Sequence, residues 1–303
     1  MNISLIFPGQ GSQFPGMGKE FYEASPEARA VFDKADAVIP GLKDCIFNGP
    51  PEKLTSTAFC QPAIFTFSLA ALEAFKAHPK FKNFTPRFAC GLSLGELTAV
   101  VASGSLSFEE GLRLVQRRSA LMDEACRLKK GGMAAVIGFS KEKILEICKQ
   151  TGAEVANFNS PEQIVITGEA AKVEAASVKI KEAGAKRVIP LDVAGAFHSS
   201  LMRPAAEKFK IEIEKFKINP AKFGVVSNVD GRPATDPKEI KEKLSRQITS
   251  SVQWVASVEY IAAQGVTTFF ELGPGTVLKG LIRKINSSLI VHNIEKPEDL
   301  EKF

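Results

Sequence analysis

The segment Gly91-Leu92-Ser93-Leu94-Gly95 constrains this chain more than any other part of its sequence. It follows a short apolar run, Phe88 to Cys90, and precedes a stretch that predicts a helix, Glu96 to Ala102. Strand, Gly-x-Ser-x-Gly turn and helix in that order form the context of a nucleophile elbow, which exposes a serine hydroxyl on a tight turn. The pattern predicts covalent acyl chemistry at Ser93, although a plain strand-to-helix turn with a structural serine has the same letters.

Length and composition are those of a globular protein. The chain has 303 residues, of which 45% are hydrophobic and 24% charged, enough for a large core and two domains. We find no apolar run near the ~20 residues that span a bilayer, so no membrane association is expected. The first residues read as a core strand and not as a signal peptide.

Charge and cysteine usage exclude further classes. The net charge of +5 comes from dispersed basic residues without interleaved aromatics, which does not favour nucleic-acid binding. The five cysteines form no Cys-x-x-Cys pair, and the three histidines lack metal-ligand spacing. We expect a reduced, cytoplasmic protein without a metal or a permanently bound cofactor; a mature organellar form stays open.

The rhythm of strand and helix signals changes near residue 130. Before it lie a predicted strand over residues 3–7 and predicted helices over residues 24–39, 61–77 and 107–125. From Met133 to Leu191 the order is βαββαβ, which is typical of the ferredoxin-like fold.

An inserted subdomain explains that change of rhythm. We predict an α/β protein with an α/β-hydrolase-like core built around a parallel sheet, from residues 1–128 and 195–303, and a ferredoxin-like subdomain at residues 129–194. The charged tail, residues 295–303, is expected to be loose.

A serine nucleophile needs a base, most often a histidine. His78 precedes a proline at a helix end and reads as a solvated residue. His292 ends the last predicted strand and stays a rival, because hydrolases place their histidine late in the chain. His198 lies among small residues in Ala194–Ser200 and is the favoured base. With no acid clearly paired with it, a Ser–His dyad oriented by a backbone carbonyl is expected.

Arg118 lies on the wrong face of its predicted helix. The apolar stripe of that helix contains Leu114, Val115, Leu121 and Met122, and Arg118 falls in its middle. A buried guanidinium is costly unless an anion meets it, and its fork fits a carboxylate. Arg118 is therefore either a structural ion pair or the binding group for an acyl chain that ends in a carboxylate.

Several segments together resemble malonyl-CoA:acyl-carrier-protein transacylases, over nearly the whole chain. They occur in that family's order and are Pro8–Gln13, Gly91–Glu96, Gln116–Arg118, Asn157–Pro161, Phe197-His198, Asn228–Gly231, Arg246-Gln247, Val252–Trp254 and Glu271–Gly275.

The resemblance implies a two-step transfer with malonyl-CoA as substrate and an acidic, phosphopantetheinylated acyl carrier protein as acceptor. Ser93 would be the nucleophile and His198 its base. The backbone N–H groups of Gln10 and Leu94 would bind the oxyanion, Arg118 the malonyl carboxylate, and the backbone carbonyl of Gln247 would orient His198.

The chain departs from the family at one position, since Leu92 stands where the family usually has histidine. Phe197 matches the form found in malonyl-selecting acyltransferases, and its ring would crowd a 2-methyl group, so malonyl is expected to be preferred to methylmalonyl. Basic residues could receive the acidic carrier protein. The candidates are Lys186, Arg187, Lys279, Arg283 and Lys284.

Two other functions fit the same residues, and a third is disfavoured by them. A serine thioesterase or other hydrolase would pass the acyl group to water. An acyltransferase could load a polyketide carrier protein in place of one for fatty acid synthesis. A carrier-binding module with an inactive site is disfavoured by the presence of Ser93, His198 and Arg118.

Overall fold

A computed structural model describes residues 2–82 and 84–302 of the chain. Within these residues it contains ten strands and thirteen α-helices. The strands are β1 (Ile3–Phe7), β2 (Phe88–Gly91), β3 (Gly131–Ile137), β4 (Glu154–Ser160), β5 (Gln163–Glu169), β6 (Arg187–Pro190), β7 (Gly224–Val226), β8 (Pro233–Ala234), β9 (Thr268–Leu272) and β10 (Ile290–Ile294). The helices are α1 (Lys19–Ala24), α2 (Pro26–Val38), α3 (Leu42–Asn48), α4 (Pro51–Thr55), α5 (Thr57–Ala77), α6 (Leu94–Ala102), α7 (Phe108–Leu128), α8 (Lys141–Thr151), α9 (Ala170–Glu182), α10 (Arg203–Ile213), α11 (Pro237–Gln247), α12 (Trp254–Ala263) and α13 (Val277–Ile285).

The larger sheet has six strands in the order β10-β9-β1-β2-β7-β8. Its first five strands are parallel, and β8 pairs antiparallel with β7 at the edge. All residues of β1 and β2 are buried, as expected for strands covered on both faces by helices. The carboxyl ends of these parallel strands meet at one edge, where ligand sites of open α/β sheets form.

The smaller sheet is antiparallel and has the order β4-β5-β3-β6. Helices α8 and α9 pack on it around a separate apolar cluster that includes Ile144, Ile166 and Ile180. The predicted order of elements, βαββαβ, is the observed one. A mixed α/β protein with a parallel sheet is thus confirmed, and the antiparallel sheet is a separate layer.

Helix α5 corrects one expectation. Its segment Ala58–Ala77 is long and apolar enough to cross a bilayer by length and composition, which the sequence analysis missed. In the structure 83% of that window is buried inside the protein, where Phe65, Phe67 and Phe75 belong to the main core. Its apolar character is explained by burial between α2, α6 and α7.

The helix predicted over residues 24–39 is confirmed as α2, which begins two residues later because Ser25 caps its N-terminus and Pro26 occupies its first position. One other expectation was wrong. The tail is ordered and not loose: residues Pro297–Glu301 form a 3₁₀ turn, Leu300 is buried, and Glu301 accepts a hydrogen bond from His78 at 2.9 Å.

Candidate active site

The predicted elbow lies between β2 and α6, at the carboxyl edge of the parallel sheet. Its two glycines are required by close contacts of the backbone. A Cβ atom on Gly91 would lie 2.1 Å from the carbonyl carbon of Gly95, and one on Gly95 would lie 2.1 Å from the carbonyl oxygen of Phe7. Any larger residue would push the helix away from the sheet and move the serine between them.

Ser93 and His198 share an unusual backbone conformation. Their φ angles are 52° and 57°, and they are the two non-glycine residues with positive φ among residues 2–82 and 84–302. Such conformations cost about 1–3 kcal/mol and persist where surrounding structure holds them. The two strained non-glycine residues of the described chain are therefore also in direct contact with each other.

His198 contacts the serine through one ring nitrogen and the backbone through the other. Its Nε2 lies 2.8 Å from Ser93 Oγ, and its Nδ1 lies 2.9 Å from the carbonyl oxygen of Gln247. Because a carbonyl can only accept, Nδ1 donates to Gln247, and Nε2 is left to accept the serine proton. Burial, assisted by the positive charge of Arg118, lowers the pKa of His198 to about 4. The imidazole is therefore neutral and able to act as a base at neutral pH.

The rival histidines lie elsewhere. His292 is on β10, where its ring lies 5.2 Å from that of Phe270, and His78 contacts Glu301 at the end of α5. Neither lines the pocket that contains Ser93. The geometry therefore supports His198 as the base of the predicted dyad.

Arg118 is buried beside the serine, with 1% of its surface exposed. Its Nη2 donates to Ser93 Oγ at 3.0 Å and to Gln247 Oε1 at 2.9 Å, and its Nη1 donates to Gln61 Oε1 at 2.7 Å. Among the described residues no carboxylate lies within ion-pair distance of it, its Nε has no hydrogen-bond partner, and the charge of Glu96 acts on it only from farther away. A buried guanidinium that is hydrogen-bonded to neutral groups can bind an anion that comes from outside the chain.

The two residues predicted to supply the oxyanion donors line the same pocket as the serine. Gln10 follows β1 and Leu94 begins α6, and both line the pocket with Ser93. In the part of the chain that the structure describes, neither backbone N–H donates to a protein acceptor. The arrangement leaves both N–H groups available to a developing negative charge.

The pocket around these groups has a volume of about 180 Å³, which suits a short acyl group. Leu92, Met122, Met133 and Phe197 form apolar parts of its wall. Leu92 is half-buried and packs on a second apolar cluster of the parallel-sheet unit. Among the described residues no group of three or more His, Cys, Asp or Glu side chains could hold a metal ion.

Comparison with known proteins assigns the family. The model of the acyl transferase domain matches residues 4–297. The chain is 46% identical to a malonyl CoA-acyl carrier protein transacylase of Bacillus subtilis, over 99% of this chain and 95% of the relative. A protein of the same name from Staphylococcus aureus strain MRSA252 is 40% identical, with 98% and 97% covered. This chain belongs to the acyl transferase family.

Solved structures of the same family agree with the fold. An acyl-carrier-protein S-malonyltransferase from Burkholderia pseudomallei 1710b superimposes with a TM-score of 0.96 at 36% identity, covering 100% of this chain and 99% of that one. A malonyl-transacylase solved in complex with a type II polyketide acyl-carrier protein gives 0.95 at 36% identity, covering 99% and 98%.

Three residues of this acyl transferase site escaped the sequence analysis. Gln61 and Asn228 are buried side chains bonded to Arg118 and to the elbow, and Glu96 is a carboxyl group 2% exposed beneath the serine. Gln61 had a signal, since it is a polar residue at the start of an apolar helix. Glu96 and Asn228 had only their place in family motifs.

The predicted carrier-binding residues lie outside the pocket of this acyl transferase. All five basic side chains are exposed. Lys186 and Arg187 are at β6, while Lys279, Arg283 and Lys284 are on α13. Lys284 Nζ lies 4.0 Å from Glu162, in the turn between β4 and β5. Their role in binding a carrier protein stays a prediction.

Proposed function

We propose that this chain transfers the malonyl group from malonyl-CoA to the phosphopantetheine thiol of acyl carrier protein, through a malonyl ester of Ser93. The observation that carries the proposal is Arg118: a buried guanidinium whose hydrogen-bond partners among the described residues are all neutral, 3.0 Å from the nucleophile. Relatives that bear the name malonyl CoA-acyl carrier protein transacylase support it over the length of the chain.

Acylation of the serine is the first step. Malonyl-CoA enters with its free carboxylate on Arg118, whose planar fork can bind both oxygens. Ser93 Oγ attacks the thioester carbon as its proton passes to His198 Nε2. The N–H groups of Gln10 and Leu94 stabilise the oxyanion, a contribution of about 10²–10³ in rate for each donor. The C–S bond then breaks, and the departing CoA sulfur takes the proton from His198.

Transfer to the carrier is the reverse of this chemistry. The pantetheine thiol gives its proton to His198, and its sulfur attacks the carbonyl carbon of the malonyl ester. The Ser93 ester bond breaks, and the oxygen of the serine recovers the proton from His198. A solved relative bound to an acyl-carrier protein supports a protein acceptor. A basic surface that includes α13 would suit an acidic one.

The finer architecture belongs to the same proposal. We infer an α/β-hydrolase-like core from residues 1–128 and 195–303 and a ferredoxin-like subdomain from residues 129–194. The strand order β4-β5-β3-β6 in an antiparallel sheet with two helices on one face supports the second assignment. A cytoplasmic location is inferred from the five cysteines, which are free.

Phe197 suggests a preference among malonyl donors. Its ring is 7% exposed and lines the pocket beside His198. A methyl group on the malonyl carbon would have to fit against this ring, so malonyl is favoured over methylmalonyl. Equal kcat/KM values for the two donors would contradict this expectation.

Intact-mass analysis after mixing the protein with malonyl-CoA tests the proposal. We expect one added malonyl group on the wild type and none on Ser93→Ala. Addition of holo-acyl carrier protein should then remove that group and place it on the carrier. Loss of malonyl from CoA at the same rate with and without carrier would identify a hydrolase.

A further inference from the structure

Glu96 is a buried carboxyl group that the acyl-transfer steps do not use. It lies in the first turn of α6, and 2% of it is exposed. Its Oε2 accepts two hydrogen bonds, from the backbone N–H of Asn228 at 3.0 Å and from Nε2 of Gln247 at 2.7 Å. Burial raises the pKa of Glu96, which makes an unexplained carboxyl group at this place costly.

Gln247 connects Glu96 to three catalytic groups. Its Nε2 also donates to the carbonyl of Ser93 at 2.8 Å. Its Oε1 accepts from Arg118 at 2.9 Å, and its backbone carbonyl accepts from His198 at 2.9 Å. Gln247 is 1% exposed, so its side chain has no solvent-exposed alternative to these hydrogen bonds.

The partners of the Gln247 amide fix its direction. Its Nε2 faces only acceptors, which are Glu96 Oε2 at 2.7 Å, the Ser93 carbonyl at 2.8 Å and Asn228 Oδ1 at 3.5 Å, and Glu96 makes the shortest of these bonds. The amide oxygen must then face Arg118, a pure donor. A reversed amide would place NH₂ against the guanidinium and leave donors facing donors.

We propose that Glu96 is a positioning residue that acts through the side chain of Gln247 on Arg118, so that malonyl selection depends on a carboxyl group that never meets the substrate. This inference rests on the proposed function. Glu96 would orient the guanidinium that binds the malonyl carboxylate. It would do so through Gln247, the residue whose backbone carbonyl also holds His198.

Loading of Ser93 by malonyl-CoA and by acetyl-CoA, measured by rapid quench and intact mass, tests the inference. In Glu96→Ala the amide loses its shortest hydrogen bond and is held less firmly against Arg118. We expect the malonyl-to-acetyl ratio of kcat/KM to fall about tenfold or more, the effect of a lost bond in a buried network. Glu96→Gln can place an oxygen where Oε2 lies and should restore most of the ratio. Glu96→Asp withdraws that oxygen and should not restore it.

A double-mutant cycle tests whether the effect passes through Gln247. Gln247→Ala removes the amide but keeps the backbone carbonyl that holds His198. If Glu96 acts through that amide, the double variant should be no less selective than Gln247→Ala alone. Additive losses of selectivity would overturn the proposal.

Asn228→Ala is the matched control. Its Oδ1 accepts from the Ser93 N–H at 2.7 Å, and its Nδ2 donates to the Gly91 carbonyl at 2.7 Å. Its bond from Gln247 Nε2 is longer, at 3.5 Å, so its main contacts hold the elbow. We expect it to slow loading by both donors equally. If the Ala variant of Glu96 does not fold, equal selectivity in the Asp and Gln variants overturns the proposal. A wild type that malonyl-CoA does not load contradicts instead the proposed function.

Discussion

Two strand-to-helix turns flank β1 at the carboxyl edge of the parallel sheet, and they use the same parts differently. The first joins β2 to α6 through Ser93, and the second joins β9 to α13 through Gly273-Pro274-Gly275. In the second, Glu271 accepts from the N–H groups of Leu278 and Lys279 at 3.0 and 2.9 Å. A carboxylate of the chain thus occupies the N-terminus of α13, whereas the N–H of Leu94 at α6 has no protein acceptor among the described residues.

The backbone shows the same contrast. The positive φ angles of the second turn fall on Gly273 and Gly275, which adopt them without strain. At the elbow the positive φ falls on Ser93, a residue with a side chain. The difference indicates a stabilising role for the second turn, whereas we infer that the strain and the open donor of the elbow serve chemistry. Variants at the elbow should change rates, and variants at the second turn should change stability.

The largest expected effect separates the two histidines. His198→Ala removes the base at the elbow and should slow loading of Ser93 about 10²–10⁴-fold. His292→Ala, on β10 beside the second turn, should leave the loading rate at the wild-type value. Rapid-quench mass analysis with malonyl-CoA measures both. Slow loading in His292→Ala with normal loading in His198→Ala would contradict both the proposed Ser–His dyad and the contrast between the turns.

Arg118→Ala should abolish the preference for malonyl. Without the guanidinium, loading from malonyl-CoA should fall about 10²–10⁴-fold, because a carboxylate would enter a buried pocket unpaired. Loading from acetyl-CoA should be retained. Arg118→Lys, which keeps the charge without the fork, should lie between the two. Unchanged selectivity in the Ala variant would mean that Arg118 is structural.

The pH dependence of acetyl loading should reveal the charge of Arg118. Burial and this cation lower the pKa of His198 from 6.5 to about 4, so wild-type loading should stay constant as pH falls from 8 to 5. Removing the cation in Arg118→Ala raises the pKa, and the rate should then decline at a higher pH. Arg118→Lys is the control, since a positive charge remains. Coincident profiles for wild type and Arg118→Ala would show that the charge does not act on the base.

The smallest effect on rate is expected at Glu271. In Glu271→Gln the amide can accept from only one N–H of α13, which should cost about 1–3 kcal/mol of unfolding free energy without changing the loading rate. Burial raises the pKa of Glu271 to about 7. The folded chain therefore holds a proton that the unfolded chain releases, and this stability is lost as pH rises through 7.

Thermal unfolding of the wild type and of Glu271→Gln at two pH values tests this prediction. The deficit of the variant relative to wild type should be larger at pH 5 than at pH 8. A variant that unfolds like the wild type but loads more slowly would place catalytic function at the second turn and remove the contrast.

The elbow, His198 and Arg118 could be predicted because each breaks a local rule. A serine stands between two glycines after a strand, a histidine lies among small residues, and a cation interrupts an apolar stripe. Glu96 and Asn228 break no such rule: their partners come from distant segments, and only folding places Glu96 against Gln247. Their interactions could not be read from spacing.

The errors have physical causes as well. The predicted start of α2 was two residues too early, because the cap at Ser25 and the proline at residue 26 set the boundary there and periodicity does not. The tail was expected to be loose from its charge, but Leu300 is buried and supplies the apolar contact that a count of charges ignores. Helix α5 is apolar on all sides because protein surrounds it, a distinction that composition cannot make.

The central place of β1 has a consequence for the order of events during synthesis. Of the two neighbours of β1, β2 follows it along the chain within about 85 residues and β9 only after about 265. Pairings so distant along the chain form slowly, because a long loop must close, at a cost in entropy, before the contacts between the strands can form. The carbonyl of Phe7 in β1 also accepts from the Leu92 N–H of the elbow, at 3.1 Å. The nascent polypeptide therefore carries its nucleophile well before β9 has been made and β1 is held on both sides, and catalytic competence has to wait for that pairing.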